Sequence, residues 1–532
     1  MCGIYFCKRD TVTIKECTTQ SSKLDYRGPD EQSILDIGKY FFYQSRLHIM
    51  DKSYNQPYVK NNYVMCYNGE IYNYKALSHT FLGQPASSDT QVVLEMFITF
   101  GPNFIHYLDG MFSIIIVDTQ NDMIFVGRDR IGIVSLYYGY TDYFDIVIAS
   151  ELKSLDNCKQ VFSFPANTYS YTKTSEIPDP TVYSNIDYIK PYKQDIGYIK
   201  HQICSTLTNS VYSHIIQGNI PINKIAFLLS GGLDSSLIVS IARKLFPYSE
   251  IHTFSIAVNE NTVNSCKMDY IYAREVAAGL HTVHHEVSLD IQDCLAAIPD
   301  VIYHTETYDV TTIRASTPMY LLCKHISKLG FRVILSGEGS DELFGGYLYF
   351  NKAPTVFEYQ NEILKRIKNL QYSDCLRAHK TSISCGIELR VPFLSNDMIN
   401  LVLRINPEFM FIRNKTIEKG LLRSSFVNDY LPDNILWRQK EQLSDGVGYT
   451  WIDNIKNIAK QRFFQLDGSQ AENIYYKLIF NTIFCKHAPT LTDVKTRHAT
   501  IYKWTPNIEW GCSPDPSGLV NDKHLTNSPV VP

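Results

Sequence analysis

Two short stretches gather glycine, hydroxyl and acidic residues where an apolar run gives way to a helix-like pattern. SGGLDSS (Ser230 to Ser236) follows IAFLL and precedes LIVSIARKL, and SGEGSDE (Ser336 to Glu342) follows FRVIL about a hundred residues later. A strand that hands over to a helix in this way presents free backbone N–H groups and the positive end of a helix dipole, which suits an anion. Gly231 and Gly232 let the backbone approach a phosphate closely, while Ser230, Ser235 and Ser236 add hydroxyl donors. Asp234 would repel phosphates unless a cation stood between them, so a magnesium ion is the natural partner. The second turn supplies Glu338, Asp341 and Glu342. Taken singly, either turn is equally a Ser- and Asp-capped helix start, and neither carries the Walker or Rossmann glycine fingerprint.

A different chemistry begins the chain. Cys2 sits behind Met1 and ahead of Gly3, so removal of Met1 would leave a thiol and an α-amine on one residue, with the amine as base for the thiol. By itself, Cys2 is better read as the apolar start of a strand. Four further segments, YRGPD (Tyr26 to Asp30), RLHIMD (Arg46 to Asp51), NGEIYN (Asn68 to Asn73) and SSD (Ser87 to Asp89), resemble in order and spacing the class II glutamine amidotransferases, which begin MCGI. Hydrolysis of a side-chain amide needs a nucleophile and donors for a tetrahedral oxyanion. Cys2 fits the first role, and the Asn68 side chain and Gly69 N–H fit the second. Arg46 can pair with the α-carboxylate of a free amino acid, and Glu70 and Asp89 can take its α-ammonium.

SGGLDSS resembles the pyrophosphate-releasing loop of the N-type ATP pyrophosphatases, and a glutaminase half followed by such a half resembles the glutamine-hydrolysing asparagine synthetases. The resemblance runs from Met1 to about Trp451 and includes VIYHTETYDVTTIRASTPMYL, SGEGSDELFGGYLYF, ELRVPFL and WRQKEQLSDGVGYTWI. It implies that an aspartate β-carboxylate attacks ATP to give β-aspartyl-AMP and pyrophosphate, and that ammonia from the Cys2 site reaches the adenylate through an internal tunnel. By the same resemblance Leu228, Ser230, Gly231, Gly232, Asp234, Ser235, Ser236, Ile256, Ser336, Gly337 and Lys440 bind ATP and pyrophosphate. Glu338 is the base for ammonia, and Asp234 and Asp341 hold Mg2+. Thr311, Thr312, Arg314 and Arg390 meet aspartate or the intermediate. Lys440 and Arg390 could each equally be half of a salt bridge between helices, and His284 and His285 read as strand-edge residues.

Departures from the family pattern are few: Tyr26 where many relatives have His, His48 where Ser is common, Ser87 for Gly and Ser395 for an acid. None removes a needed functional group. A β-lactam-synthetase-like enzyme acting on another carboxylate is the alternative, but such relatives typically lack the nucleophilic cysteine. A silent regulatory protein on the same scaffold is a third reading, and intact Cys2, Asp234 and Glu338 argue against it.

The elements that must position these residues differ between the halves. Up to about residue 190 the pattern is β-rich, with MFSIIIVDTQNDMIFVGRD as a hairpin and TQVVLEMFITF as the main helix. Together with the resemblance this predicts an N-terminal nucleophile antiparallel β-sandwich with flanking helices over residues 2–190. The proline-containing stretch Ser175 to Asp195 reads as a crossing between domains. Beyond it, short apolar runs alternate with helical patterns, which predicts a doubly wound parallel sheet of the ATP pyrophosphatase type over residues 191–510, with 511–532 a flexible tail.

Composition narrows the partners. The chain has 532 residues and a net charge of −4, with no long basic run, which gives no electrostatic case for nucleic acid. Its thirteen cysteines include no CxxC pair, and the longest aliphatic run cannot span a bilayer. The expectation is therefore a cytoplasmic enzyme with reduced thiols, acting on aspartate, glutamine and ATP with Mg2+, with no membrane or nucleic-acid partner. Relatives imply a homodimer.

Overall fold

The computed structural model describes the chain apart from residues 50–53, 84, 177, 190–193, 259–268, 413–416, 428, 441–448, 464, 485–501 and 513–532. Met50 and Asp51 of RLHIMD, the expected boundary at 190/191, the stretch after Lys440 and most of the expected tail lie outside the described residues.

The first half carries two six-stranded antiparallel sheets. One runs in the order Gln160–Ser163, Tyr137–Tyr140, Ile146–Ala149, Gly3–Lys8, Tyr40–Arg46, Glu31–Ile37. The other runs Thr181–Val182, Thr168–Lys173, Met123–Arg128, Gly110–Asp118, Tyr63–Ile71, Tyr58–Lys60. Alternation along each strand decides the layers. Ile4, Phe6 and Phe42 face inwards and pack against Val64, Ile115, Val117 and Val126 of the second sheet. Tyr5, Cys7 and Tyr43 face outwards and meet Cys17 of the helix Ile14–Ser21. On the far side, Met65, Ile114 and Phe125 bury Val93, Met96 and Phe97 of the helix Asp89–Phe100. That helix starts where the Ser88 hydroxyl accepts the Thr90 N–H and stops at Gly101. The result is a four-layered sandwich with helices outside both sheets. The expected hairpin forms with Asp118 opposite Met123. The stretch expected to be a crossing contains a short strand, because Thr181 and Val182 pair with Tyr169 and Thr168 and extend the second sheet.

The second half is built on a parallel sheet ordered Val283–Leu289, His252–Val258, Ile225–Leu228, Val333–Leu335, Glu388–Arg390. Chain order grows outwards in both directions from the middle, so the winding reverses between Ile225–Leu228 and Val333–Leu335. Ser230 and Ser336 follow those two strands, which sets both glycine-rich turns at the switch point where such sheets bind ligands. The helix after the first turn begins at Leu233, four residues before the apolar run LIVSIARKL, so it takes in the end of the glycine-rich stretch. Gly232 serves as its extended N-cap, and Asp234 falls in its first turn. Its buried face, Leu237, Ile238 and Ile241, joins a continuous apolar core that also takes in Met1, Met111 and Ile133 from the sandwich.

Candidate functional site

Cys2 immediately precedes Gly3–Lys8, a strand flanked on both sides in its sheet. Its backbone N–H donates to Asn68 Oδ1 at 2.6 Å. An N–H can only donate, so the amide oxygen is the atom that meets the Cys2 N–H, and Nδ2 is left for another partner. Asn68 Nδ2 is buried and has no hydrogen-bond partner among the described residues, so an unspent donor stands beside the thiol residue. Arg27 of YRGPD holds the Cys2 carbonyl through Nε at 3.0 Å and pairs with Glu151 through Nη1. Met1 lies ahead of Cys2 with its ammonium 3.1 Å from Glu388 Oε2, buried on both sides.

The expected amino-acid contacts gather around the same strand ends. Glu70 accepts Gln217 Nε2 at 2.9 Å, and burial together with Glu388 pushes its carboxyl well above the usual carboxylate range. Asp89 accepts the Tyr67 hydroxyl at 2.7 Å and the Ile71 N–H at 3.1 Å, and burial raises it too. Arg46 gives Nη1 to Glu31 at 2.8 Å, and Glu31 also meets His48 Nε2 at 3.1 Å. Gly69 lies next to Asn68 on the strand Tyr63–Ile71.

The second site is a cavity over the switch point of the parallel sheet. Ser230, Gly232, Asp234 and Ser235 line it from the first turn, and Ser336, Gly337, Glu338 and Asp341 from the second. Leu228, Ile256, Thr311 and Lys440 line it as well. The turns touch, since a Cβ on Gly337 would come within 2.9 Å of the Asp234 Cβ and the Ser235 nitrogen. Within the first turn the Ser235 hydroxyl accepts the Ser230 N–H at 3.1 Å, and across the two turns the Ser340 hydroxyl donates to Asp234 at 2.7 Å.

Charge is balanced in pairs. Lys419 Nζ reaches both oxygens of Asp234 at 2.8 and 2.6 Å and Asp341 Oδ1 at 2.8 Å. Lys440 Nζ lies 2.7 Å from Asp341 Oδ2. Burial works to raise the Asp341 carboxyl, but the two lysines hold it well below the usual carboxylate range. Burial also raises Glu338, against the pull of Arg377, whose Nη2 lies 2.8 Å from Glu338 Oε1 and 3.1 Å from Asp374. Asp234 and Asp341 offer hard oxygen donors, and no cluster of three or more His, Cys, Asp or Glu ligands stands among the described residues. Two carboxylates beside a glycine-rich turn are a donor set that fits Mg2+.

Five expected members stand outside this cavity. Gly231 has φ +78°, and a Cβ there would lie 2.4 Å from the Ala273 nitrogen, so close packing against the helix Asp269–Gly279 demands glycine. Ser236 is fully buried in the first turns of its helix. Thr312 lies in the first turn of a helix capped by Asp309, its hydroxyl and N–H both donating to Asp309 Oδ2, at 2.8 and 2.9 Å. Arg314 forms a bidentate, buried pair with Glu472 at 2.9 and 2.6 Å. Arg390 donates to Glu388 at 2.8 Å and to the carbonyls of His214 and Gln217 at 2.6 and 3.0 Å. Only its own carbonyl turns to the second glycine-rich turn, accepting the Ser336 N–H at 3.0 Å. His284 and His285 lie on the edge strand Val283–Leu289. Lys419, Arg377 and Arg438 line the cavity and escaped the sequence reading. Their only sequence signal is indirect: Asp234, Glu338 and Asp341, brought together, require cations.

Comparison with known proteins matches residues 1–202 to the glutamine amidotransferase domain family and residues 204–365 and 358–510 to the asparagine synthase family. Asparagine synthetase B, glutamine-hydrolyzing, of Escherichia coli is 38% identical over 511 residues, covering 91% of this chain and 88% of the relative. A probable glutamine-hydrolyzing asparagine synthetase of Schizosaccharomyces pombe is 38% identical over 584 residues, covering 99% of each. Glutamine-hydrolyzing asparagine synthetase 3 of Arabidopsis thaliana is 38% identical over 540 residues, covering 94% of this chain and 90% of the relative.

Proposed function

The chain belongs to the glutamine-hydrolysing asparagine synthetases, and from that premise we propose how its two sites divide the reaction. It is an ATP-dependent ligase that makes asparagine from aspartate with glutamine as nitrogen donor. At the first site Cys2, freed of Met1, attacks the glutamine side-chain amide with its own α-amine as base; the C–N bond breaks to release ammonia, and water hydrolyses the resulting thioester to glutamate and the free thiol. Asn68 Nδ2 and the Gly69 N–H receive the oxyanion. Arg46, which among the described residues gives one N–H to Glu31, orients the α-carboxylate with its remaining donors, while Glu70 and Asp89 take the α-ammonium.

At the second site the backbone and hydroxyls of Ser230, Gly232 and Ser235 receive the phosphates of ATP, and Lys419 and Lys440 offset their charge. Asp234 and Asp341 would hold a magnesium ion, which when bound neutralises phosphate charge that these carboxylates otherwise repel. Leu228, Ile256, Ser336 and Gly337 border the nucleotide, and Thr311 faces aspartate. Attack by the aspartate β-carboxylate on the α-phosphorus releases pyrophosphate and leaves β-aspartyl-AMP. Ammonia then attacks the β-carbonyl, AMP departs, and Glu338 takes the surplus proton. A carboxyl raised by burial is the better base for that step. Ammonia passes between the sites inside the protein, because in neutral water most of it would become ammonium and lose its lone pair.

One observation carries the reading: a single cavity at the switch point brings Ser230, Asp234, Glu338 and Lys440 together from distant parts of the chain. The test is asparagine and pyrophosphate formation from aspartate and MgATP, with glutamine or ammonium chloride, by wild type and Cys2→Ala. Wild type should use both donors and the variant ammonium alone. Continued use of glutamine by Cys2→Ala would remove the nucleophile assignment. We further propose a cytoplasmic homodimer. None of the described cysteines forms a disulfide, as a reducing compartment permits, and sedimentation equilibrium should give twice the chain mass.

A further inference from the structure

The helix Asp374–Ile383 touches both sites from opposite faces. Arg377 holds Glu338 at 2.8 Å. Two residues on, about 200° around the helix, His379 Nε2 lies 2.8 Å from Arg27 Nη2, and Arg27 Nε holds the Cys2 carbonyl at 3.0 Å. A guanidinium only donates, so His379 Nε2 is the acceptor and its proton sits on Nδ1. Lys380, next along, pairs with Glu151 at 3.0 Å and with Glu306. Glu306 in turn accepts the backbone N–H groups of Leu152 and Lys153 at 2.8 Å each. The side chains of Arg27, Glu151, Lys153, His379 and Lys380 are all 2% exposed or less. Three cations thus face two carboxylates at a buried junction, and a charged imidazole would add a fourth cation and remove the acceptor that Arg27 requires. Burial first, and Arg27 second, push the His379 imidazole well below its ordinary range and keep it neutral.

We propose that His379, supplied by the synthetase half, is a positioning residue for glutamine hydrolysis: by accepting from Arg27 it fixes the guanidinium plane and thereby the Cys2 main chain. The working geometry of the thiol then depends on the same helix that fixes Glu338. Displacing the helix by a fraction of an ångström is felt at both sites, and nitrogen release is tied to the readiness of the acceptor site. This inference rests on the roles proposed above for Cys2 and Glu338.

The test compares wild type, His379→Leu and His379→Gln as full chains with aspartate and MgATP, measuring glutamate and asparagine from glutamine, and asparagine from ammonium chloride. Leucine removes the acceptor, whereas glutamine keeps one near the place of Nε2. His379→Leu should lower kcat for glutamine about tenfold or more, with its KM within about threefold. Ammonium-dependent synthesis should stay within about twofold, and less asparagine should form per glutamate released. His379→Gln should recover most of the loss. Unchanged glutamine use in His379→Leu, a parallel fall with ammonium, or no recovery in His379→Gln would each overturn the proposal. A wild type inactive with ammonium would instead overturn the synthetase reading, and one active with ammonium but not glutamine the Cys2 reading.

Discussion

Around Cys2 two of the acidic residues expected to meet substrate, Glu70 and Asp89, are buried and driven towards their neutral form, whereas at the nucleotide turns Lys419 and Lys440 hold Asp341 firmly ionised. The substrates proposed for the two sites explain the contrast. Glutamine reacts at an uncharged amide, so its site needs an unspent donor where charge will develop and carboxyls that become ionised as an ammonium arrives. ATP arrives with several negative charges, so its site needs cations already in place and carboxylates able to share them with a metal. One site therefore stores an unpaired N–H, and the other stores opposed charge.

Substitutions can break that contrast at either end. Glu338→Gln should lower asparagine formation about 10²- to 10⁴-fold with both nitrogen donors, while pyrophosphate exchange into ATP, which precedes ammonia attack, persists. If exchange falls equally, Glu338 serves adenylation and is not the base. Asn68→Ala should lower kcat for glutamine hydrolysis about 10²- to 10³-fold and leave ammonium-dependent synthesis unchanged. A loss confined to KM would mean that the unpaired Nδ2 binds substrate without serving the oxyanion.

Arg314 sharpens the boundary of the second site. Because it pairs with buried Glu472 and does not line the cavity, Arg314→Met should cost about 3–5 kcal/mol of stability, read as a lower urea midpoint, with the KM for aspartate little changed. A selective rise in that KM would return Arg314 to the substrate site. The smallest effect concerns pH. Burial pushes His214 down to about 3, below the ordinary value near 6.5. Its contribution is complete above pH 6.5. Below that the unfolded chain takes up a proton that the folded chain refuses, and the contribution is lost progressively until pH falls through the folded value. The slope is at most about 1.4 kcal/mol per pH unit. His214→Asn should flatten the fall in urea midpoint between pH 6.5 and 5, a window above the ordinary range of the carboxylates; an unchanged slope would show that His214 does not titrate as a buried neutral group.

The sequence exposed the parts of these sites that are local. A strand, a glycine-rich turn and a helix are contiguous, so Ser230 and Ser336 were legible, and the parallel order of the sheet carries both to the switch point. Side chains that arrive from elsewhere were not legible. Lys419 and Arg377 have ordinary surroundings in the chain and acquire meaning only when Asp341 and Glu338 come near. The expected residues of this block that stand outside the cavity do so in a regular way. Thr311, Ala315, Pro318, Met319 and Leu322 line the cavity as one stripe of their helix, and Thr312 and Arg314, though in the same block of sequence, fall off that stripe. Helical periodicity would have separated them. Arg390 lies beside the nucleotide turn only through its carbonyl, a distinction that no pattern of side chains records.

The strand Glu388–Arg390 is the outermost of the parallel sheet, yet all three of its residues are fully buried. Part of what shields it is the sandwich, whose Glu70 and Tyr72 interact electrostatically with Glu388 and Arg390. Edge strands left bare invite pairing with other chains. A synthetase half produced without the sandwich would lose that shield and be prone to aggregate, so the practical way to an enzyme fed by ammonium alone is to silence Cys2 in the intact chain.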